Sequence, residues 1–203
     1  MKDTTDMTRP LRIVLVHAVD DDGARLESLR SGLPPPEYEI VAALPADLFL
    51  PAHVAQLQPD VLIADAESDA RDVLEHIVVA SRDERRPVVM FTDDGRPDTM
   101  QAAMEAGVTA YVVDGLRPER VRAVLQVALA RFRQECRLRE ELHDTRAKLA
   151  ERKVIERAKG LLMARYRFDE AEAYARLRSM AMNKNLRLAE LAQRLLDVED
   201  LLG

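Results

Sequence analysis

The sequence predicts an α/β fold, a doubly wound five-stranded parallel sheet, followed by a long helix and an all-α bundle of three helices. Three observations predict it. Five short apolar runs rich in branched residues alternate with helical patterns between Leu11 and Val113, as strands and crossovers of a sheet covered on both faces do. After Pro118 no proline follows, and no glycine occurs until Gly160, so a helix can continue uninterrupted. Beyond Leu142 come three amphipathic segments, each too short to bury a core except against the others.

Residues 1–10 read as a disordered leader ending at Pro10. Leu11 to Val16 (LRIVLV) is the first strand, of the continuous apolar kind that fills a buried parallel sheet. A helix over Ala24 to Leu33 is stopped by Pro34, Pro35 and Pro36. Tyr38 to Ala43 is the second strand, Leu48 to Leu57 a weak helix, and Asp60 to Asp65 (DVLIAD) the third strand. Val73 to Ser81 is helical, Pro87 to Thr92 (PVVMFT) the fourth strand, Asp98 to Ala106 helical, and Ala110 to Val113 the fifth strand. Val121, Val124, Leu125, Ala128 and Phe132 recur at helical spacing and should close one face of the sheet.

At 203 residues and 47% hydrophobic content the chain can bury a real core, which excludes a disordered class. MKDTTDMTRP has acids where a signal peptide needs a basic start and an apolar run, and no stretch is long and apolar enough for a membrane span, so a soluble, cytoplasmic protein is expected. The lone Cys136 provides neither an internal disulfide nor a zinc cluster. His17, His53, His76 and His143 lie in unrelated contexts, and neither paired catalytic carboxylates nor a glycine-rich phosphate loop stands out. The expectation is a protein that is not an enzyme, with no cofactor and no metal. The formal charge of −6 hides an asymmetry: residues 1–118 hold 11 Lys/Arg against 22 Asp/Glu, and residues 119–203 hold 19 against 14. An acidic globule joined to a basic helical segment suits a regulatory domain with a nucleic-acid or protein-binding output; a solvated Arg-rich helix has the same composition.

In doubly wound sheets the working residues lie beyond the carboxyl ends of the strands. Here they are His17 and Ala18, Asp65, Thr92 and Asp114. This set resembles the receiver domain of bacterial response regulators, a CheY-like and flavodoxin-like fold. Its pattern is an acidic pair after strand one, a phosphorylated Asp after strand three, a Ser or Thr after strand four and a Lys after strand five. Asp65 falls at the phosphoacceptor position and Thr92 at the switch position. His17 and Ala18 replace the acidic pair, and Asp114, which repels phosphate, replaces the Lys. Phosphoryl transfer to a carboxylate needs a divalent metal and a nearby cation. The site therefore reads as lacking its cation and with metal ligands displaced to Asp20, Asp21 and Asp22, so that Asp65 goes unused in a pseudo-receiver that switches by binding a partner.

Leu138, Leu142, Thr145 and Leu149 follow a 4, 3, 4 spacing, a short and imperfect coiled-coil seam through which a homodimer can form, although packing on the chain's own helices needs the same stripe. Glu151 to Arg165 (ERKVIERAKGLLMAR) puts Val154, Ile155, Ala158, Leu161 and Leu162 on one face and leaves Arg152, Lys153, Arg157, Lys159 and Arg165 for solvent or a partner. The chain turns at Tyr166 to Phe168, and Asp169 with Glu172 starts a second helix by a capping box. Ala171, Tyr174, Leu177, Arg178 and Ala181 mark that helix, which puts Tyr174 in the core. After a break at Asn183 to Asn185, Leu188, Leu191, Ala192, Leu195 and Leu202 mark the third.

ERKVIERAKGLLMAR, DEAEAYARLRSMAMNKN and LRLAELAQRLL together resemble the ANTAR domain, an RNA-binding three-helix module of bacterial antitermination regulators. PDVLIADAESDARDVLE, PVVMFTDD and AGVTAYVVDGL are similar to the receiver-like half of NasT-like nitrate/nitrite regulators. The boundaries expected are a leader at 1–10, a receiver-like domain at 11–132, a coiled-coil linker helix at 133–150 and an ANTAR domain at 142–203. The resemblance implies binding of paired leader mRNA hairpins to prevent terminator formation. It also implies control by a nitrate/nitrite-sensing NasS-like protein instead of phosphorylation. A phosphorylation-dependent DNA-binding response regulator is the rival reading. For RNA the candidate contacts are Arg152, Lys153, Arg157, Lys159 and Arg165, then Arg176, Arg178, Lys184 and Arg187. Gly160 within a helix costs about 1 kcal/mol relative to Ala, pointing to close approach by RNA or by the second helix.

Overall fold

A computed structural model describes residues 9–18, 24–66, 70–80, 85–114 and 116–202. The leader, apart from Arg9 and Pro10, and the acids Asp20, Asp21 and Asp22 lie outside the described residues. The chain divides into two compact units, Met1–Glu135 and Cys136–Gly203.

In the first unit the elements alternate as the sequence predicts: β1 (Leu11–His17), α1 (Ala24–Ser31), β2 (Tyr38–Pro45), α2 (Leu50–Leu57), β3 (Val61–Ala66), α3 (Ala70–Ala80), β4 (Val88–Thr92), α4 (Pro97–Glu105) and β5 (Ala110–Val113). A 49-residue helix, α5 (Pro118–Tyr166), begins in this unit. The five strands are parallel in the order β2-β1-β3-β4-β5, which brings the carboxyl ends of β1, β3 and β4 side by side. The β1–β2 register slips between Ile13 and Val14. Helix α2 starts two residues later than the apolar pattern suggests, because Pro51 fits the first turn, where no backbone donor is needed.

Side chains alternate across the sheet with a period of two, giving two cores. Val14, Val16, Leu62, Ala64, Val88 and Met90 pack with Leu50, Val54, Val73, Ile77 and Ala103 from α2, α3 and α4. Ile13, Leu15, Ile63, Val89 and Phe91 face the other way, onto Leu29 of α1 and Val121, Leu125 and Ala128 of α5. Phe132 is only half-buried. Gly32, just past α1, sits where a side-chain carbon would stand 2.5 Å from the Pro118 carbonyl oxygen and 2.9 Å from Val121 Cβ. The chain there has room only for hydrogen.

In the second unit the later part of α5 packs with α6 (Glu170–Asn183) and α7 (Leu188–Leu202). Ala158, Leu162, Ala173, Leu177, Ala181, Leu191, Ala192 and Leu196 are buried, flanked by Val154, Ile155, Leu161, Leu188 and Leu195. Asp169 caps α6 by accepting from the Glu172 amide at 2.7 Å, and Glu172 accepts from the Asp169 amide at 3.0 Å. Such a box satisfies two of the helix's orphan donors. Arg167 and Asn185, at φ of 57° and 52°, make the turns between helices. Leu138, Leu142 and Leu149 are about half exposed.

Candidate functional site

At the carboxyl edge of the sheet, Asp65 is the penultimate residue of β3 and is only 3% exposed. An isolated carboxylate buried to this degree is strongly disfavoured. Its counter-charge comes from α1: Arg25 Nε donates to the two Asp65 oxygens at 3.0 and 2.9 Å, and Nη2 stands 2.8 Å from Oδ1. The same guanidinium reaches Asp93, just past β4, through Nη1 at 3.0 and 3.3 Å. Hydrogen bonding to Asp65, then the charges of both carboxylates, hold the Arg25 guanidinium above its ordinary range against the opposing effect of burial. The sequence reading of a site without a cation is therefore corrected. This cation comes from the first turn of a crossover helix and not from a strand end.

Thr92, 1% exposed, accepts from the Asp94 amide at 3.0 Å, and the Tyr111 hydroxyl donates to the Asp94 carbonyl at 2.8 Å. Arg96 closes on the Asp94 carboxylate, whose hydrogen bonds from the Arg96 side chain and amide hold it well below the usual carboxylate range. The loop after β4 is thus held at both Asp93 and Asp94. His17 turns its Nδ1 to the Ala18 carbonyl at 2.7 Å. Asp114 stands at φ 50° past β5, its amide bonded to the Thr92 carbonyl. Among the described residues no three His, Cys, Asp or Glu side chains are grouped to hold a metal ion.

In the second unit Arg152, Lys153, Arg157 and Arg165 are exposed on α5, with Arg165 paired to Glu199. Lys159 departs from the expected free surface. It is 6% exposed, and its ammonium lies 2.9 Å from Glu156 and 2.7 Å from Glu170. Hydrogen bonds to Glu170 and then Glu156 raise its pKa, and Lys159 in turn lowers that of Glu170. The helical wheel could not show this, because Glu170 arrives from another helix.

Gly160 is exposed, and a side-chain carbon there would meet nothing within 4 Å. Packing of the second helix against it is therefore ruled out as the reason for the glycine. Tyr174, expected in the core, is 43% exposed. The buried stripe of α6 is Ala173, Leu177 and Ala181, which keeps Leu177 and Ala181 of the expected stripe and takes Ala173 in place of Ala171 and Tyr174. Tyr174, at the border of this stripe, lines a shallow depression of about 350 Å³ together with Arg178, Ser179, Met182 and Asn183. Arg176, Lys184 and Arg187 are exposed without an ion pair among the described residues. At the α5–α6 turn Tyr166 and Phe168 stack with ring centroids 5.6 Å apart and planes inclined by 20°.

Residues 143–196 match the ANTAR domain family. The transcriptional regulatory protein PdtaR of Mycobacterium tuberculosis is 26% identical over 193 residues, covering 95% of this chain and 92% of that one. A nitrate regulatory protein of Klebsiella oxytoca is 49% identical over 53 residues, covering 26% of this chain and 13% of that protein. The CheY-like receiver domain protein of Methanospirillum hungatei superposes with a TM-score of 0.51 at 20% identity, covering 62% of this chain and 98% of that one, which supports the fold of the first unit. The chain thus joins a five-stranded α/β unit of CheY-like fold to a segment, residues 143–196, that matches the ANTAR domain family.

Proposed function

We propose that this protein is a transcription antitermination regulator whose ANTAR domain, residues 142–203, binds paired hairpins in a leader mRNA and so prevents a terminator from forming. The observation that carries this reading is the outward face of α6, where Tyr174 stands beside Arg178 over an open depression. Hairpin loops present unstacked bases and crowded phosphates, and an exposed aromatic ring next to a guanidinium can stack on the one and neutralise the other. Arg152, Lys153, Arg157, Arg165, Arg176, Lys184 and Arg187 extend the cationic surface for the backbone, and Gly160 leaves a bare stretch of helix that a phosphate can approach. Lys159, held between two carboxylates, supports the helices and leaves RNA contact to its neighbours.

The regulator acts without covalent chemistry of its own. The target in this reading is a set of nitrate/nitrite assimilation genes and the controlling partner a NasS-like sensor; similarity over 53 residues to a Klebsiella nitrate regulatory protein supports the nitrate part of it. Control by that partner instead of by phosphorylation agrees with an Asp65 already engaged by Arg25. The half-exposed Leu138, Leu142 and Leu149 support a homodimer through residues 133–150, with one hairpin of the pair for each subunit. A gel shift with a two-hairpin leader RNA and with the same sequence as duplex DNA tests the reading. Preference for RNA, lost in Tyr174→Ala, is expected; preference for the duplex makes the protein a DNA-binding response regulator.

A further inference from the structure

The contact between Arg25 and the two carboxylates at the sheet edge stands apart from the RNA reading and does not depend on it. Asp65, the penultimate residue of β3, and Asp93, just past β4, converge on one planar cation, which donates to both oxygens of each. We propose that Arg25 is a resident counter-ion for this site: its guanidinium fills the space between Asp65 and Asp93 where a divalent cation would sit, and closes the site to metal and to metal-dependent phosphoryl transfer.

The chemistry of the two cations supports this. A guanidinium stays charged throughout the physiological range and matches a carboxylate with a rigid pair of donors. Magnesium demands octahedral oxygen ligands and gives up its water reluctantly, so two carboxylates hold it weakly. Arg25 also arrives attached to the chain, at an effective concentration that free magnesium in a cell does not match. For a metal to enter, Arg25 must leave, and Asp65, 3% exposed, would stand without its counter-charge during the exchange. A phosphoryl group on Asp65 would in addition need one of the two oxygens that Nε and Nη2 now occupy. Arg25 is thus a positioning residue that fixes α1 over the ends of β3 and β4 and supplies one positive charge shared by the two acids of the site.

Manganese, detected by the paramagnetic resonance of the free ion, serves as the probe on the full chain. The unmodified protein is expected to take up no manganese at Asp65 at millimolar concentration. Arg25→Met is expected to take up one ion per chain, and Arg25→Met combined with Asp65→Asn none. Uptake by the unmodified protein that disappears in Asp65→Asn overturns the proposal, as does a folded Arg25→Met protein that takes up nothing. A measurement on the unmodified chain alone guards against a variant that fails to fold: the Arg25 Nε proton, followed by nuclear magnetic resonance, is expected to keep its hydrogen-bonded shift in millimolar magnesium. Movement of that proton to a solvent-exposed shift as magnesium is added overturns the proposal equally.

Discussion

The Lys159 ammonium lies 2.7 Å from the Glu170 carboxylate, joining the last turns of α5 to the first residue of α6. The contact is largely shielded on the lysine side and open on the glutamate side. Lys159→Met should lower the melting temperature of the second unit slightly while leaving the salt dependence of RNA binding unchanged. Glu170 is depressed, so its part of the stabilisation is present above the ordinary glutamate range and is lost as pH falls through its lowered value. Lys159 is raised, so its part is complete below the ordinary lysine range and is lost only as pH rises through the raised value. The melting difference between the two proteins should therefore be flat at neutral pH and shrink in acid, which thermal melts followed by circular dichroism would read.

Removing the ring at Tyr174 should weaken leader RNA binding by about 1–3 kcal/mol, the range for loss of one stacked base. Tyr174→Phe should retain most of the affinity. Because Tyr174 is 43% exposed and borders the buried stripe of Ala173, Leu177 and Ala181 without belonging to it, neither change should unfold the bundle. Fluorescence anisotropy with a labelled hairpin measures both.

Arg178→Ala should act through charge. If Arg178 neutralises one phosphate, the slope of log affinity against log salt falls by about 0.7–0.9. An unchanged slope would remove Arg178 from the phosphate contacts.

Gly160→Ala separates stability from binding. With nothing within 4 Å of the added carbon, the change should stabilise the bundle by about 0.5–1 kcal/mol through helix propensity. RNA affinity should fall if the backbone is approached closely there. Chemical denaturation and the same anisotropy assay give the two answers.

Leu142→Lys should halve the mass seen by analytical ultracentrifugation if residues 133–150 pair two copies. Leu142 is 49% exposed within a single chain and belongs to none of the three cores, so the substitution leaves them untouched. Loss of pairing should also reduce affinity for a two-hairpin leader more than for a single hairpin.

The sheet was legible because its strands are buried on both faces and so appear as unbroken branched runs such as DVLIAD and PVVMFT, each ended by the residue that reaches the site. Asp65 and Thr92 could be placed for the same reason. Arg25 could not, since its role arises only when the first turn of α1 lies over β3, and nothing local distinguishes it from Arg30. In the second unit the capping box at Asp169 and the stripe of α5 followed directly from spacing. Tyr174 was misplaced because α6 is rich in alanine. Ala171 and Ala173 are equally able to begin a buried stripe, and the choice falls to whichever lets the neighbouring helices approach. Lys159 failed for the complementary reason, its partner Glu170 being supplied by a helix that starts 11 residues later.

Gly32 works as a caliper. The missing methyl group there gauges how near the end of α1 comes to the first turn of α5, and the opposing jaw is the Pro118 carbonyl, part of the backbone and unable to swing aside. Alanine at this position would be a wedge, forcing the two helices apart where Arg25 grips the sheet from one and Val121 fills the core from the other. One methyl would thus displace the root of α5 mechanically, with every ionisable group left in place.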